Sequence, residues 1–286
     1  GVLLDYFRDF ADSAGLRDSI AFGTEVLSAR YDDGAGMWSV TVRGPGGAIE
    51  QIDANAVITA VGQLNRPSFP AIEGREDFAG QSFHSAQWRH DIDLTGKRVA
   101  VIGTGASAFQ FVPIIAEQAA QLTIFQRNPP WLGPSPLYHE AVADGLQWLF
   151  GHIPGYSRWY RFWLFSSSVE GMLAQVEVDP DWDGGERSVS AANDRMRSEL
   201  TKHLERQFGD RPDLLAAAIP NYPPGAKRML ADNGVWAKAL KRPNVELVTE
   251  GIDRIDASGV ATAAGRHIDA DVLIYATGFA ASDFLA

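Results

Sequence analysis

The chain has 286 residues, 45% of them hydrophobic and 21% charged, enough for one large core or two. A formal net charge of −11 argues against a nucleic-acid partner, because backbone phosphates call for a basic field, so any phosphate site must be local. With no cysteine there are no disulfides, thiolate metal sites or cysteine nucleophile, which fits a reducing, cytoplasmic setting.

Asp5, Arg8, Asp9 and Asp12 interrupt the apolar run after Gly1, so the start does not read as a signal peptide, and a chain opening on Gly rather than Met reads as a fragment. Leu3, Tyr6, Phe7, Phe10 and Ala14 share a helical face and Gly15 stands where helices stop, predicting a surface helix over 2–14 that lies on a sheet. Three short apolar segments follow, 20–31, 38–42 with strict alternation, and 56–61, with Gly44-Pro45-Gly46-Gly47 as a turn. They predict a small antiparallel sheet. Pro67, Pro70 and Gly74 mark residues 62–96 as an irregular connector between domains, not a core element.

Residues 97–102 predict a buried strand, 107–121 a helix that Pro113 distorts, and 122–126 a second strand, together the beginning of a βαβ unit. Between Pro129 and Pro224 strand signals vanish, and the stretch, carrying Trp131, Trp148, Trp159 and Trp163, reads as a helical insertion whose aromatic residues pack as core rather than as a substrate cage. Its most apolar part, 162–169, is far shorter than the roughly 20 residues of a membrane span. Met196, Leu200, Leu204 and Phe208, followed by Gly209, mark one amphipathic helix. Strand signals return at 245–248 and 271–276, on either side of a hairpin-like stretch around Gly259 and Gly265.

Gly103-Thr104-Gly105-Ala106-Ser107-Ala108 is a GxGxxA pattern placed after a predicted strand and at the opening of a predicted helix. In that context Gly103 permits the tight turn, Gly105 lets the backbone approach a pyrophosphate, and Ala108 allows close helix packing, with the anion on free N–H groups at the positive helix end. The competing reading is a glycine turn of structural use alone. At the end of the second strand, where NAD proteins place an acidic residue, the chain reads Phe125-Gln126-Arg127-Asn128. Arg127, with Asn128 beside it, suits a 2′-phosphate and therefore NADPH; otherwise it is a solvated surface cation.

The segment Phe78-Ala79-Gly80-Gln81-Ser82-Phe83-His84-Ser85-Ala86-Gln87-Trp88 resembles the FxGxxxHxxxW fingerprint of Baeyer–Villiger monooxygenases, departing from the usual pattern at Arg89. In that family the fingerprint links two domains and affects turnover, which implies such a role for His84. Ala60-Val61-Gly62-Gln63-Leu64 resembles the strand end that meets the flavin, Ala276-Thr277-Gly278-Phe279 resembles the strand returning to the FAD domain, and Val26 stands where the family offers a backbone group to the FAD adenine. Tyr222-Pro223-Pro224-Gly225-Ala226-Lys227-Arg228 resembles the segment whose Lys holds the NADPH 2′-phosphate and whose Arg stabilises the peroxyflavin. The resemblance thus makes Lys227 a cofactor ligand and Arg228 the catalytic cation, against the alternative of a surface ion pair. Residues 222–236, with Asp232-Asn233-Gly234, are most similar to the 4-hydroxyacetophenone monooxygenase branch.

The resemblance implies an α/β two-dinucleotide-binding-domain flavoprotein. A partial FAD-binding domain with a small antiparallel sheet, and its linker, would occupy 1–95. A Rossmann-like NADPH domain would follow in two parts, 96–128 and 226–270, around a helical insertion at 129–225, with 271–286 returning to the FAD domain. It also implies FAD and NADPH as cofactors and a ketone, an aryl ketone among the candidates, with O2 as co-substrate; the peroxyflavin would attack the ketone to give an ester, with no side-chain nucleophile. Oxygenation of nitrogen or sulfur, as in the related flavin-containing monooxygenases, and a non-catalytic NADP-binding fragment remain as alternatives. No strand–GxGxxG–helix unit precedes Gly103, so the chain alone is expected to bind NADPH better than FAD and to turn over poorly.

Overall fold

The computed structural model describes residues 2–166 and 171–283, and the chain divides into two compact units, Gly1–Gly62 and Gln63–Ala286. The first unit begins with α1 (Val2–Ser13) and continues as a meander of β1 (Glu25–Asp32), β2 (Met37–Arg43) and β3 (Ile49–Ala54), antiparallel with β2 in the centre. Gly15 closes α1 with a left-handed φ of 62°. The expected face forms, yet no residue of α1 is buried, and Leu3, Tyr6, Phe7 and Phe10 are each more than half exposed. Periodicity fixes the helix and its stripe; it does not supply a sheet to cover it. The third strand is Ile49–Ala54 rather than 56–61, which lies outside any strand. Ile49 and Ile52 stand three residues apart and are exposed, so the strand lacks the alternation by which a half-buried strand is recognised, and the hairpin hydrogen bonds from Gly44 to Ala48 and from Gly47 to Gly44 fix its register instead.

The second unit contains, in chain order, β4 (Gln81–His84), β5 (Arg98–Ile102), α2 (Ala106–Ile115), β6 (Gln121–Phe125), β7 (Leu132–Pro134), α3 (Asp144–His152), α4 (Tyr156–Phe165), α5 (Gly171–Val176), α6 (Ala191–Phe208), α7 (Pro212–Ala218), β8 (Leu230–Asp232), α8 (Val235–Leu240), β9 (Val245–Val248), β10 (Ile252–Asp256), β11 (Gly259–Thr262), β12 (His267–Asp269) and β13 (Val272–Tyr275). Five strands form one parallel sheet in the order β4-β13-β5-β6-β9. The strands β10, β11 and β12 form a separate antiparallel meander, and β7 pairs with β8.

Both faces of the parallel sheet are covered. Val99, Val101, Leu122, Ile124, Val272 and Ile274 pack with α2, α6 and α8 on one side, while Ala100, Ile102, Phe125, Leu273 and Tyr275 meet the β10–β12 meander on the other. This double burial is why these strands read as continuous apolar runs.

Four expectations change. The connector 62–96 contributes a core strand, β4, with Phe83 and His84 buried; four residues at a sheet edge are too few to show a period. The insertion contains β7, three residues long. Of its tryptophans only Trp131 enters the core, whereas Trp148, Trp159 and Trp163 are more than half exposed. The last three sit on α3 and α4, which pack on each other through Phe150 against Tyr156 and Tyr160. Helix α2 stops at Ile115, short of the expected 121: Pro113 cannot donate to the Phe109 carbonyl, and after the Ala116 to Val112 hydrogen bond the chain turns. Among the described residues no helix is long and apolar enough to cross a membrane.

The amphipathic helix lies where its pattern places it, as α6, with Leu200, Leu204 and Phe208 buried and the Ser190 hydroxyl capping it by accepting from Asn193 N at 3.2 Å. Leu204 is fully buried. Leu204→Ala should therefore cost about 2–5 kcal/mol of unfolding free energy, from lost burial and the cavity left behind. Urea denaturation of this chain measures it, and a loss well below 1 kcal/mol would mean that α6 does not belong to the cooperative core.

Candidate functional site

From β5 the chain steps outward to β6 and β9, then returns to place β13 on the other side of β5. The carboxyl ends of β5 and β13 therefore flank a topological switch point, where open parallel sheets bind ligands. Residues after these two strands meet there at close range. Ala276 N donates to Ile102 O at 2.8 Å and Gly103 N to Phe125 O at 2.9 Å. Gly103 has φ 108°, and a Cβ there would lie 2.5 Å from Ala276 O, so no other residue fits.

Gly105 is the N-cap of α2, without a side-chain cap, and a Cβ added to it would meet nothing within 4 Å. The first helical bond runs from Phe109 N to Gly105 O, leaving the amides of Ala106, Ser107 and Ala108 with no intrahelical acceptor. Ala108 is fully buried, letting the helix press on the sheet. Open space over uncapped amides at a positive helix end is the cradle a dinucleotide diphosphate requires, and it fits one.

Thr104 Oγ1 donates to Asn128 O at 3.3 Å, tying this turn to the loop after β6. In that loop Gln126 is buried and held by Val248 and Ala217, while Arg127 is exposed. Lys227 reaches the same loop through Tyr222: its Nζ sits 4.5 Å over the Tyr222 ring, and the Tyr222 hydroxyl donates to Pro129 O at 2.8 Å. Arg228 is exposed beside Lys227. Among the described residues, Arg127, Lys227 and Arg228 form no salt bridge with a carboxylate. Tyr222 opens the segment quoted from the sequence, but its role as the platform under Lys227 is not legible there, since its partner Pro129 is remote along the chain.

At the neighbouring strand end, His84 is buried, its Nδ1 accepting from Ala86 N at 3.1 Å, so the neutral ring carries its proton on Nε2. Nε2 is buried without a hydrogen-bond partner among the described residues. Phe69 and Phe279 lie edge-on to the ring at 5.3 and 5.7 Å. Burial pushes the imidazole pKa below its ordinary value, opposed by the nearby Gly278 backbone. The rest of the fingerprint is explained by contact: a Cβ on Gly80 would sit 2.6 Å from Asp271 O, and Trp88 packs between Phe83 and Phe111 of α2. After β13, Ser68 N donates to Gly278 O at 2.9 Å, Thr277 Oγ1 donates to Ser68 O, and Gly278 has φ 83°. Gln63 is exposed. Val26 and Gly62 belong to the first unit, Val26 exposed on β1 beside a register shift and Gly62 with φ 71°. Thus His84, Gly103–Ala108 with Arg127 and Asn128, and Thr277 with Gly278 all lie at the carboxyl ends of the parallel strands β4, β5, β6 and β13. Among the described residues β5–α2 is the strand–turn–helix unit that carries the GxGxxA pattern; β8 also passes through a glycine, Gly234, into a helix, but α8 is only six residues long.

Residues 1–135 match the family described as FMO-like, flavin-binding monooxygenase-like. A monooxygenase from Sinorhizobium fredii, y4iD, is 40% identical over 284 residues, 98% of this chain and 42% of that protein. A Baeyer–Villiger monooxygenase from Pseudomonas aeruginosa is 35% identical over 269 residues, 94% of this chain and 47% of that protein. The solved structure of OTEMO in complex with FAD and NADP superposes with a TM-score of 0.75 at 28% identity, covering 96% of this chain and 56% of that one. The chain spans about half the length of the curated relatives it matches.

The buried His84 makes a pH prediction. Because its folded pKa lies below the ordinary 6.5, the unfolded chain binds the proton first, so this contribution to stability is full above that value and is lost as pH falls through the folded pKa. Comparing melting temperatures between pH 5 and 7.5 should show a steeper acid-side loss for the parent chain than for His84→Gln. Equal slopes, or an imidazole titrating at or above 6.5 by NMR, would contradict the assigned environment.

Proposed function

On the premise that this chain shares sequence and fold with Baeyer–Villiger monooxygenases, we propose that it is the NADPH-binding part of an NADPH- and FAD-dependent monooxygenase that inserts one oxygen atom of O2 into a ketone. The observation that carries this reading is the uncapped, open N-terminus of α2 at the β5/β13 switch point. When bound, the cofactors supply the hydride and the activation of dioxygen, and the protein's contribution is placement and electrostatics.

In this reading the backbone of residues 103–108 holds the NADPH diphosphate, with Asn128 closing the cradle through its bond to Thr104. Arg127 and Lys227 take the 2′-phosphate, for which two cations free of carboxylate partners are suited in a protein of net charge −11. Arg228 keeps its charge at every working pH and is assigned to favour negative charge on the reacting oxygen. His84, neutral and boxed by Phe69 and Phe279, secures the ends of β4 and β13 next to Thr277 and Gly278. Those two, with Gln63, are assigned to FAD, whose diphosphate we assign to no residue of this chain. Cytoplasmic function and an aryl ketone substrate are the finer parts of the proposal, the latter supported by the similarity of residues 222–236 to the 4-hydroxyacetophenone branch.

Calorimetric titration of NADPH and NADH tests the cofactor assignment. A charge-assisted phosphate contact is worth about 1.5–3 kcal/mol, so removing two of them in Arg127→Ala with Lys227→Ala should weaken NADPH by about 100-fold or more and leave NADH nearly unchanged. An unaltered ratio between the two nucleotides would overturn it. For the reaction, full-length protein supplied with NADPH and an aryl ketone should consume oxygen and yield an ester, and Arg228→Ala should lose at least about 100-fold in kcat. Formation of an N-oxide from an amine with no ester from the ketone would assign it to heteroatom oxygenation instead.

A further inference from the structure

Lys227 and Arg228 lie on a loop between two clamps. On one side Tyr222 is fixed by its hydroxyl on Pro129 O and by its carbonyl, which accepts from the Nε1 of the fully buried Trp131 at 2.9 Å. On the other the chain enters β8 directly after Met229, and β8 pairs with β7 over three residues, Leu132 with Leu230, Gly133 with Ala231 and Pro134 with Asp232. So short a two-stranded ribbon does not hold its own register. What holds it is Asp232. Its side chain has no exposed surface and accepts from His203 Nε2 at 2.9 Å, from the Gln207 side-chain amide, and from Gly234 N at 3.0 Å; its carbonyl accepts from Ser135 N at 2.7 Å.

His203 and Gln207 stand four residues apart on α6, the helix anchored in the core by Leu200, Leu204 and Phe208. A buried carboxylate gains little net stability from such pairing, since desolvation offsets most of it, whereas its directional bonds admit one arrangement. The register of α6 is thereby transmitted to β8, and through β8 to the two residues that precede it by a few positions. We infer that His203 and Asp232 are a positioning pair for Lys227 and Arg228, setting where the loop presents its cations to the Arg127 side of the site. The inference rests on the assignment of Lys227 to the 2′-phosphate.

The test is a thermodynamic cycle on the full chain, with NADPH and NADH affinities measured by titration for His203→Ala, Lys227→Ala and the double variant, each accompanied by a thermal melt. His203→Ala should weaken NADPH by about fivefold without changing NADH, and should have no further effect in the Lys227→Ala background, as coupled residues behave. His203→Gln, whose amide reaches Asp232 as a donor, should restore most of the loss. Asp232→Asn keeps the shape of the side chain, turns a donor against donors, and should weaken NADPH in the same direction. A lowered melting temperature with an unchanged NADPH-to-NADH ratio in both His203→Ala and Asp232→Asn would reduce the pair to a packing role and overturn the inference, as would additive losses in the cycle. If Lys227→Ala alone leaves the ratio unchanged, the 2′-phosphate assignment falls and this inference falls with it.

Discussion

The carbonyl of Ala276 lies where a side chain on residue 103 would have to be. That contact exists because β13 is hydrogen-bonded to β5 and both strands end at the same level, Tyr275 opposite Ile102. A backbone that close, combined with a positive φ, leaves glycine as the residue for the turn. The turn leads directly into α2, whose first amides are uncapped, and brings Thr104 within reach of the loop that carries Arg127. Cradle, switch point and cation loop are thus consequences of one close approach between two strand ends.

Holding a phosphate group on a protein of net charge −11 is a problem of local arrangement. Many of its arginines are consumed by neighbouring carboxylates: Arg98 bridges Asp269 and Asp271, Arg266 bridges Glu246 and Glu250, and Arg89 and Arg211 each hold an aspartate two residues on. Arg127 and Lys227 stand apart from such pairs, and Lys227 rests on an aromatic ring, which orders the ammonium without neutralising it. A cation parked on a π face loses less on turning to a phosphate than one drawn from a carboxylate.

What was legible in the sequence follows from the range of the forces involved. The strands β5, β6 and β13 were visible because burial on both faces leaves mostly apolar runs, β9 because Val245, Leu247 and Val248 are apolar, and α6 because its apolar residues repeat at helical spacing. The glycine motif was visible because its parts are adjacent in the chain. Strands β3, β4 and β7 were not: the first is exposed and lacks apolar alternation, and the others are held by partners far away in sequence, β4 by β13 and β7 by β8. The same holds at the site. Similarity to a known family located Lys227 and Arg228, but the Tyr222 to Pro129 bond and the His203–Asp232 pair join elements whose proximity only the fold creates.

The order of the sheet also bears on how the chain is made. β13 lies between β4 and β5, so residues 272–275 must enter a slot whose two walls are synthesised long before them. Until then β4 has no neighbour and β5 exposes one unsatisfied edge, each a template for strands of other chains. Closing that slot joins residues of large sequence separation, a slow step in folding. During translation the nascent polypeptide is thus most vulnerable to aggregation between emergence of the glycine turn and arrival of β13, an interval in which holdase chaperones would matter most.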